Sequence, residues 1–111
     1  MSSEPNVELL QGTLDLLILK ALALGPLHGW AIAKRIQQMS RDVLTVNQGS
    51  LYPALYRLQD RGMIASEPGV SPEGRKITLY KQTAAGKKQL AERIETWETF
   101  AAAMHSVIRY A

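Results

Sequence analysis

The chain contains no cysteine, and that absence excludes disulfide frameworks, thiolate zinc sites and cysteine nucleophiles together. Its only two histidines, His28 and His105, are too few and too far apart for a metal site. Aromatic residues make up 6% of the sequence, so Leu, Ile and Ala must fill most of any core. Long apolar runs are also lacking. The stretch Leu14 to Leu24 is too short to span a bilayer and carries Asp15 and Lys20, so no membrane partner is expected. The opening residues, MSSEPNVE, show no basic segment and no cleavage site of the signal-peptide kind. A reducing, cytoplasmic setting is the expectation. No glycine-rich phosphate loop follows a strand, and no serine, histidine and acid arrangement is suggested. Neither an enzyme nor a cofactor is expected.

What is present is enough for one small domain: 111 residues, of which 46% are apolar. The net charge of +3 is unevenly spread. Residues 1–33 hold Lys20 against Glu4, Glu8 and Asp15, which leaves −2. Residues 34–88 hold ten cations against Asp42, Asp60, Glu67 and Glu73, which leaves +6. Residues 89–111 return to −1, with Arg93 and Arg109 against Glu92, Glu95 and Glu98. A basic middle segment fits either a polyanion partner or a solvated basic surface.

Hydrophobic spacing predicts a first helix over 9–24, with Leu10, Leu14, Leu17, Ile18, Ala21 and Leu22 on its apolar face. Gly25-Pro26 should end it. A second helix is expected from Gly29 to Met39, with Trp30, Ala33, Ile36 and Met39 inward and Lys34 and Arg35 exposed. The run NQGSLYPALYRLQDRGMI, residues 47–64, reads as a third helix. Leu51, Leu55 and Leu58 form its apolar stripe, opposite Gln48, Ser50, Tyr52, Arg57 and Arg61. Either Asn47 or Ser50 can cap it. With Ser50 as cap, Pro53 falls in the first turn; with Asn47, the helix gives up one hydrogen bond.

Met63 to Pro68 and Lys76 to Lys81 read as two short strands joined by the turn GVSPEGR. In the second strand, Ile77 and Leu79 should share one face and Thr78 and Tyr80 the other. Thr83 should cap a last helix running to about Arg109. Along it, Leu90, Ile94, Trp97, Ala101, Met104 and Ile108 are spaced 4, 3, 4, 3, 4, a heptad seam. At 1.5 Å per residue such a helix is about 37 Å long, longer than a small domain can cover, so a second copy of the chain is expected along much of the seam.

The fold these elements imply is mainly α with a small β-hairpin: a winged helix-turn-helix plus a long C-terminal dimerisation helix. Its divisions are a flexible N-terminus (1–8), the winged domain (9–82) and the dimerisation helix (83–111). In such a fold the third helix suits the major groove and the hairpin reaches the flanking backbone or minor groove.

The stretches GTLDLLILKAL, GPLHGWAIAKRI, GSLYPALYRLQDRGMI and YKQTAAGKKQL resemble successive motifs of the PadR family of bacterial transcriptional regulators. The resemblance runs from about Leu9 to Leu90 and is most specific over GSLYPAL-x-RL. It is nearest to the compact branch, with a single C-terminal helix. It implies a homodimer held largely by the last helix, a repressor's binding to double-stranded operator DNA, and release by a small molecule, as is common in the family. Three positions depart from the family pattern: Trp30 where Tyr is frequent, Ala31 where Glu is frequent, and Gln82 where Leu is usual. A buried Gln82 would need a hydrogen-bond partner.

The residues expected at DNA are Lys34, Gln48, Ser50, Tyr52, Pro53, Arg57, Arg75 and Lys76. Gln pairs well with an adenine edge, and Ser meets base or phosphate. Tyr52 could instead cover the core rim. Arg57 either meets phosphate or pairs along its own helix with Asp60 or Arg61. Arg75 and Lys76 lie at the wing tip, where the alternative to phosphate contact is solubility alone. Trp97 sits mid-seam, so two copies would face each other across a dimer. They would either pack together or sandwich a planar aromatic ligand.

Overall fold

The computed structural model describes residues 7–111, and side chains from Gly12 onward. Helix α1 spans Val7–Ala21 and passes into a 3-10 turn at Leu22–Leu24. It therefore starts inside the segment read as an N-terminal extension. Leu14, Ile18, Ala21 and Leu22 are buried as expected, and Leu19 joins them. Leu10 lies outside the described side chains. The last turn of a helix leaves carbonyls short of partners. Gln82 Nε2 donates to Leu19 O at 2.9 Å and Arg35 Nη1 to Ala21 O at 3.4 Å. The partner that Gln82 requires is thus the end of α1.

A two-residue strand, β1 (Leu27–His28), leads into α2 (Gly29–Met39). Ile32 and Ile36 are the buried residues of α2, together with Gly29. Trp30 and Met39 correct the expected inward face, since both are half exposed. A tight connector follows, in which Arg41 and Asp42 both adopt positive φ, 54° and 66°. It is tied by Ser40 Oγ, which accepts from Leu44 N, and by Gln37 Nε2, which donates to Asp42 Oδ1.

Helix α3 spans Gln48–Asp60. Its cap is Asn47, whose Oδ1 accepts from Ser50 N at 2.9 Å. The cap choice left open by the sequence is thereby settled, and Pro53 lies inside the helix. Having no N–H, it leaves the Gly49 carbonyl without the usual intrahelical donor. Leu51, Ala54, Leu55 and Leu58 are buried. Gly62, at φ 74°, turns the chain out of α3, a conformation that costs glycine little.

The sheet differs from the simple hairpin expected. Strands β2 (Ile64–Val70) and β3 (Lys76–Gln82) pair antiparallel, Val70 opposite Lys76 at the tip and Ile64 opposite Gln82 at the base. β1 adds on the other side of β3, with Leu27 opposite Tyr80, giving the order β1-β3-β2. β3 is therefore central. Tyr80, assigned to the face away from Ile77 and Leu79, is a buried core residue. Two residues of β1 are too few to carry a readable alternation, which is why the third strand was not expected.

Helix α4 spans Ala84–Ile108, capped by Thr83, whose Oγ1 accepts from Gly86 N at 3.0 Å. The same hydroxyl donates to Gly62 O at 2.7 Å, and Thr83 N donates to Met63 O. The start of α4 is thus fastened to the end of α3. One core unites α1, α2, α3, the sheet and the first turns of α4. Leu90 is 7% exposed within it, and Ile94 packs against it. This corrects the seam: Leu90 faces its own core and not a partner. The rest of α4 extends a molecule of 58 × 34 × 21 Å.

Candidate nucleic-acid interface

The cap on Asn47 fixes what the N-terminal end of α3 presents. Gln48 and Gly49 are exposed, Ser50 is half-buried at the third helical position, and Pro53 and Tyr56 are exposed. Tyr52 is half-buried against the core. Its hydroxyl lies so close to Gly29 that a Cβ there would stand 2.6 Å from it. Tyr52 therefore covers the core rim while staying on the outer side of α3. Its ring centroid is 6.4 Å from that of Tyr56.

Across a shallow cleft, α2 supplies the other wall. Trp30, Lys34 and Gln37 face Asn47, Gln48 and Leu51 around about 360 Å³. Lys34 Nζ sits 4.7 Å from the centroid of the Trp30 ring, a cation–π contact. His28 also stacks on Trp30, with ring centroids 6.1 Å apart. The sequence reading missed Trp30 as a surface residue. The signal was present, since Trp30 and Lys34 are four apart and share a helix face.

Arg57 does not join this face. Its Nη2 is 2.6 Å from Oδ1 of Asp15 on α1, so neither Asp60 nor Arg61 is its partner. Asp15 is 4% exposed, and a carboxylate at such a depth requires paired charge. Arg57 meets that requirement, and its expected role at phosphate is withdrawn. Sequence reasoning treated Asp15 only as an interruption in an apolar run. Its position three and four residues before the buried Ile18 and Leu19 marks it as inward-facing.

Arg75 and Lys76 are exposed where the wing turns. Ser71 closes that turn, donating its N–H to Arg75 O and accepting from Arg75 N on its hydroxyl. Gly74 takes φ 85° there. The tip lies roughly 20 Å along β2 from the strand's start, at about 3.3 Å per residue. The structure thus brings Lys34 and Gln48 together across the cleft, sets Ser50 and Tyr52 half-buried on the same end of α3, and holds Arg75 and Lys76 on the wing.

The second exposed feature is the outer part of α4. Exposure there runs from 43% for Trp97 to 88% for Tyr110 just past the helix, and includes Phe100, Met104, Val107 and Ile108. Phe100 and Val107 were not on the expected seam; three and ten residues after Trp97, they widen its stripe. Trp97 and Phe100 contact each other, centroids 5.9 Å apart. With Gly12, Leu16 and Arg93 they line a groove of about 490 Å³ between α1 and α4.

Residues 18–92 match the family model described as the transcriptional regulator PadR-like family. The chain belongs to this family. PadR-like proteins are transcriptional regulators and not enzymes, and regulation of transcription implies binding to DNA. The transcriptional regulator Rv3488 of Mycobacterium tuberculosis is 41% identical over 56 residues, covering 50% of this chain and 51% of that protein. A transcriptional regulator from Clostridium thermocellum has a similar structure, with TM-score 0.83, 26% identity, and 92% and 99% of the two chains covered. A PadR family regulator from Eggerthella lenta gives TM-score 0.77 at 26% identity, over 95% and 89% of the chains. Among the described residues no helix is long and apolar enough to cross a membrane.

Proposed function

We propose that the protein is a cytoplasmic repressor that binds an inverted-repeat operator as a homodimer, through the N-terminal end of α3 and the wing. The observation that carries this reading is the N-terminal end of α3, where exposed Gln48 shares a cleft with Trp30 and Lys34 and half-buried Ser50 and Tyr52 lie on the same end of the helix. It combines groups that read base edges with an aromatic and a cation suited to the sugar-phosphate flank. Eight of the ten cations of residues 34–88 are exposed; Arg57 is engaged by Asp15 and Arg35, half-buried, by the end of α1. Arg75 and Lys76 serve phosphate or the minor groove. Two copies joined along the outer part of α4 present two reading helices to successive major grooves, about 34 Å apart.

Selection from a random duplex library, using the full chain, tests this reading. Enrichment of a two-fold symmetric site supports it; no enrichment over input contradicts it. Within the enriched site, Gln48→Ala relaxes base preference, whereas Arg75→Ala with Lys76→Ala weakens all sequences alike.

Release by a planar aromatic molecule is a second element of the proposal, favoured by the groove that Trp97 and Phe100 line. Such a molecule quenches tryptophan emission, and the quenching is lost in Trp97→Ala while Trp30 remains. Unchanged emission across a broad panel of planar aromatics removes this element and leaves the DNA reading intact.

A further inference from the structure

Asp15 connects three helices. From α1 it meets Arg57 of α3 at 2.6 Å and Arg93 of α4 at 3.9 Å. Arg93 Nη1 also reaches Gly12 O at 3.5 Å, while its Nε is buried with no hydrogen-bond partner among the described residues. One carboxylate thus stands between a cation on the proposed reading helix and a cation on the tail helix, and the core covers it. The Arg57 contact is a short, directional charge-assisted hydrogen bond; the Arg93 contact is a longer ion pair, supplemented by the bond from Arg93 to Gly12 O, and together they tie α3 and α4 to the same stretch of α1. An apolar contact in the same place would let the helices slide.

We infer that Asp15 is a positioning residue that fixes the angle between α3 and α4, and thereby the half-site spacing that a dimer accepts on DNA. The inference rests on the DNA reading given above. Its logic is geometric. In a dimer joined by α4, the distance between the two α3 helices depends on how rigidly each α3 is set relative to its own α4. A small rotation at Asp15 is magnified across the dimer and shifts the match to the groove repeat. The alternative for such a buried cluster is simple support of the fold, and the two differ in what they change. Support alters stability, whereas positioning alters discrimination between spacings.

The test uses the full-length chain. Asp15→Asn keeps the shape and removes the charge. Arg93→Gln keeps the Arg57–Asp15 pair and releases only α4, so it serves where the first variant folds poorly. Duplexes carrying the selected half-sites at the preferred spacing, and one or two base pairs either side of it, are titrated at fixed salt. Both variants are expected to stay dimeric and helical. Their preference for the best spacing over its neighbour should fall about tenfold. Wild-type discrimination in folded, dimeric Asp15→Asn and Arg93→Gln overturns the inference.

A second readout does not involve DNA. Because the chain has no cysteine, nitroxides attach cleanly at Asp60→Cys and Glu98→Cys. Distances are read in labelled chains diluted with unlabelled protein. The α3–α4 distance distribution should broaden in both Asp15→Asn and Arg93→Gln. An unchanged distribution overturns the inference even where wild-type protein binds DNA. Wild-type protein that binds no duplex contradicts the DNA reading instead, and the distance measurement still decides whether Asp15 fixes the helix angle.

Discussion

Tyr80 shows how much a single side chain reveals about its surroundings. It lies in the central strand, 6% exposed. Burial pushes its hydroxyl above the ordinary tyrosine value of 10.0, and the neighbouring Tyr56 and Tyr52 push it further the same way. On unfolding, Tyr80 loses its proton more readily, so the protonated form stabilises the native state. That stability is complete below the unfolded value and is lost as pH rises through the folded one. Denaturant midpoints measured from pH 8 upward should therefore decline beyond about pH 10, and Tyr80→Phe should flatten the decline. An equal decline in Tyr80→Phe would assign the effect to other groups. The sequence marked Tyr80 as a strand residue but on the wrong face, because facing is set by which strand lies in the middle. Asp15 was obscured for a related reason: a charge in an apolar run reads as exposure until its partners, 42 and 78 residues further along the chain, are in place.

Among the elements, the start of α4 is the most tightly constrained. Gly86 is buried, and a Cβ on it would stand 2.0 Å from the carbonyl oxygen of Met63. That atom is backbone and cannot rotate away. Gly86→Ala should cost about 1–3 kcal/mol as overpacking, seen as a lower denaturant midpoint with an unchanged slope. A midpoint equal to wild type would mean that the helix shifts at no cost. Gly29 differs in degree, since an added Cβ would stand 2.6 Å from the Tyr52 hydroxyl and 2.9 Å from its Cζ, atoms of a side chain and not of the backbone. Gly29→Ala should displace Tyr52 from the core rim, lowering stability less than Gly86→Ala does and weakening DNA binding as well. The four helices were legible because their apolar spacing is local: α2 is observed at the residues expected, and Thr83 caps α4 as its sequence suggested. What was not legible depended on distant contacts. β1 exists only by pairing with β3, and Leu90 belongs to the core only because α4 returns along α1.

At the scale of the whole molecule, the outer part of α4 is exposed and apolar beyond what an isolated surface helix needs. The proposed self-association along it engages Phe100, Met104 and Val107 together. Replacing Phe100 and Val107 by Glu should leave the winged domain folded, because neither belongs to the core. The dimer should dissociate at least about tenfold more readily, a loss of ~1.4 kcal/mol or more, as read by sedimentation equilibrium. Unchanged association in that variant would place the contact on another surface. Weaker self-association should bring weaker operator binding with it, because each protomer then meets a single half-site.

The most direct measurement is titration of a labelled duplex bearing the selected site at several salt concentrations, with the number of chains per duplex counted. The account predicts two chains per duplex and an affinity that falls steeply and linearly in logarithm with salt, at about 0.9 per phosphate neutralised. Removing Arg75 and Lys76 should make that line shallower. Binding of a single chain, a flat salt dependence, or no binding at low ionic strength would contradict it.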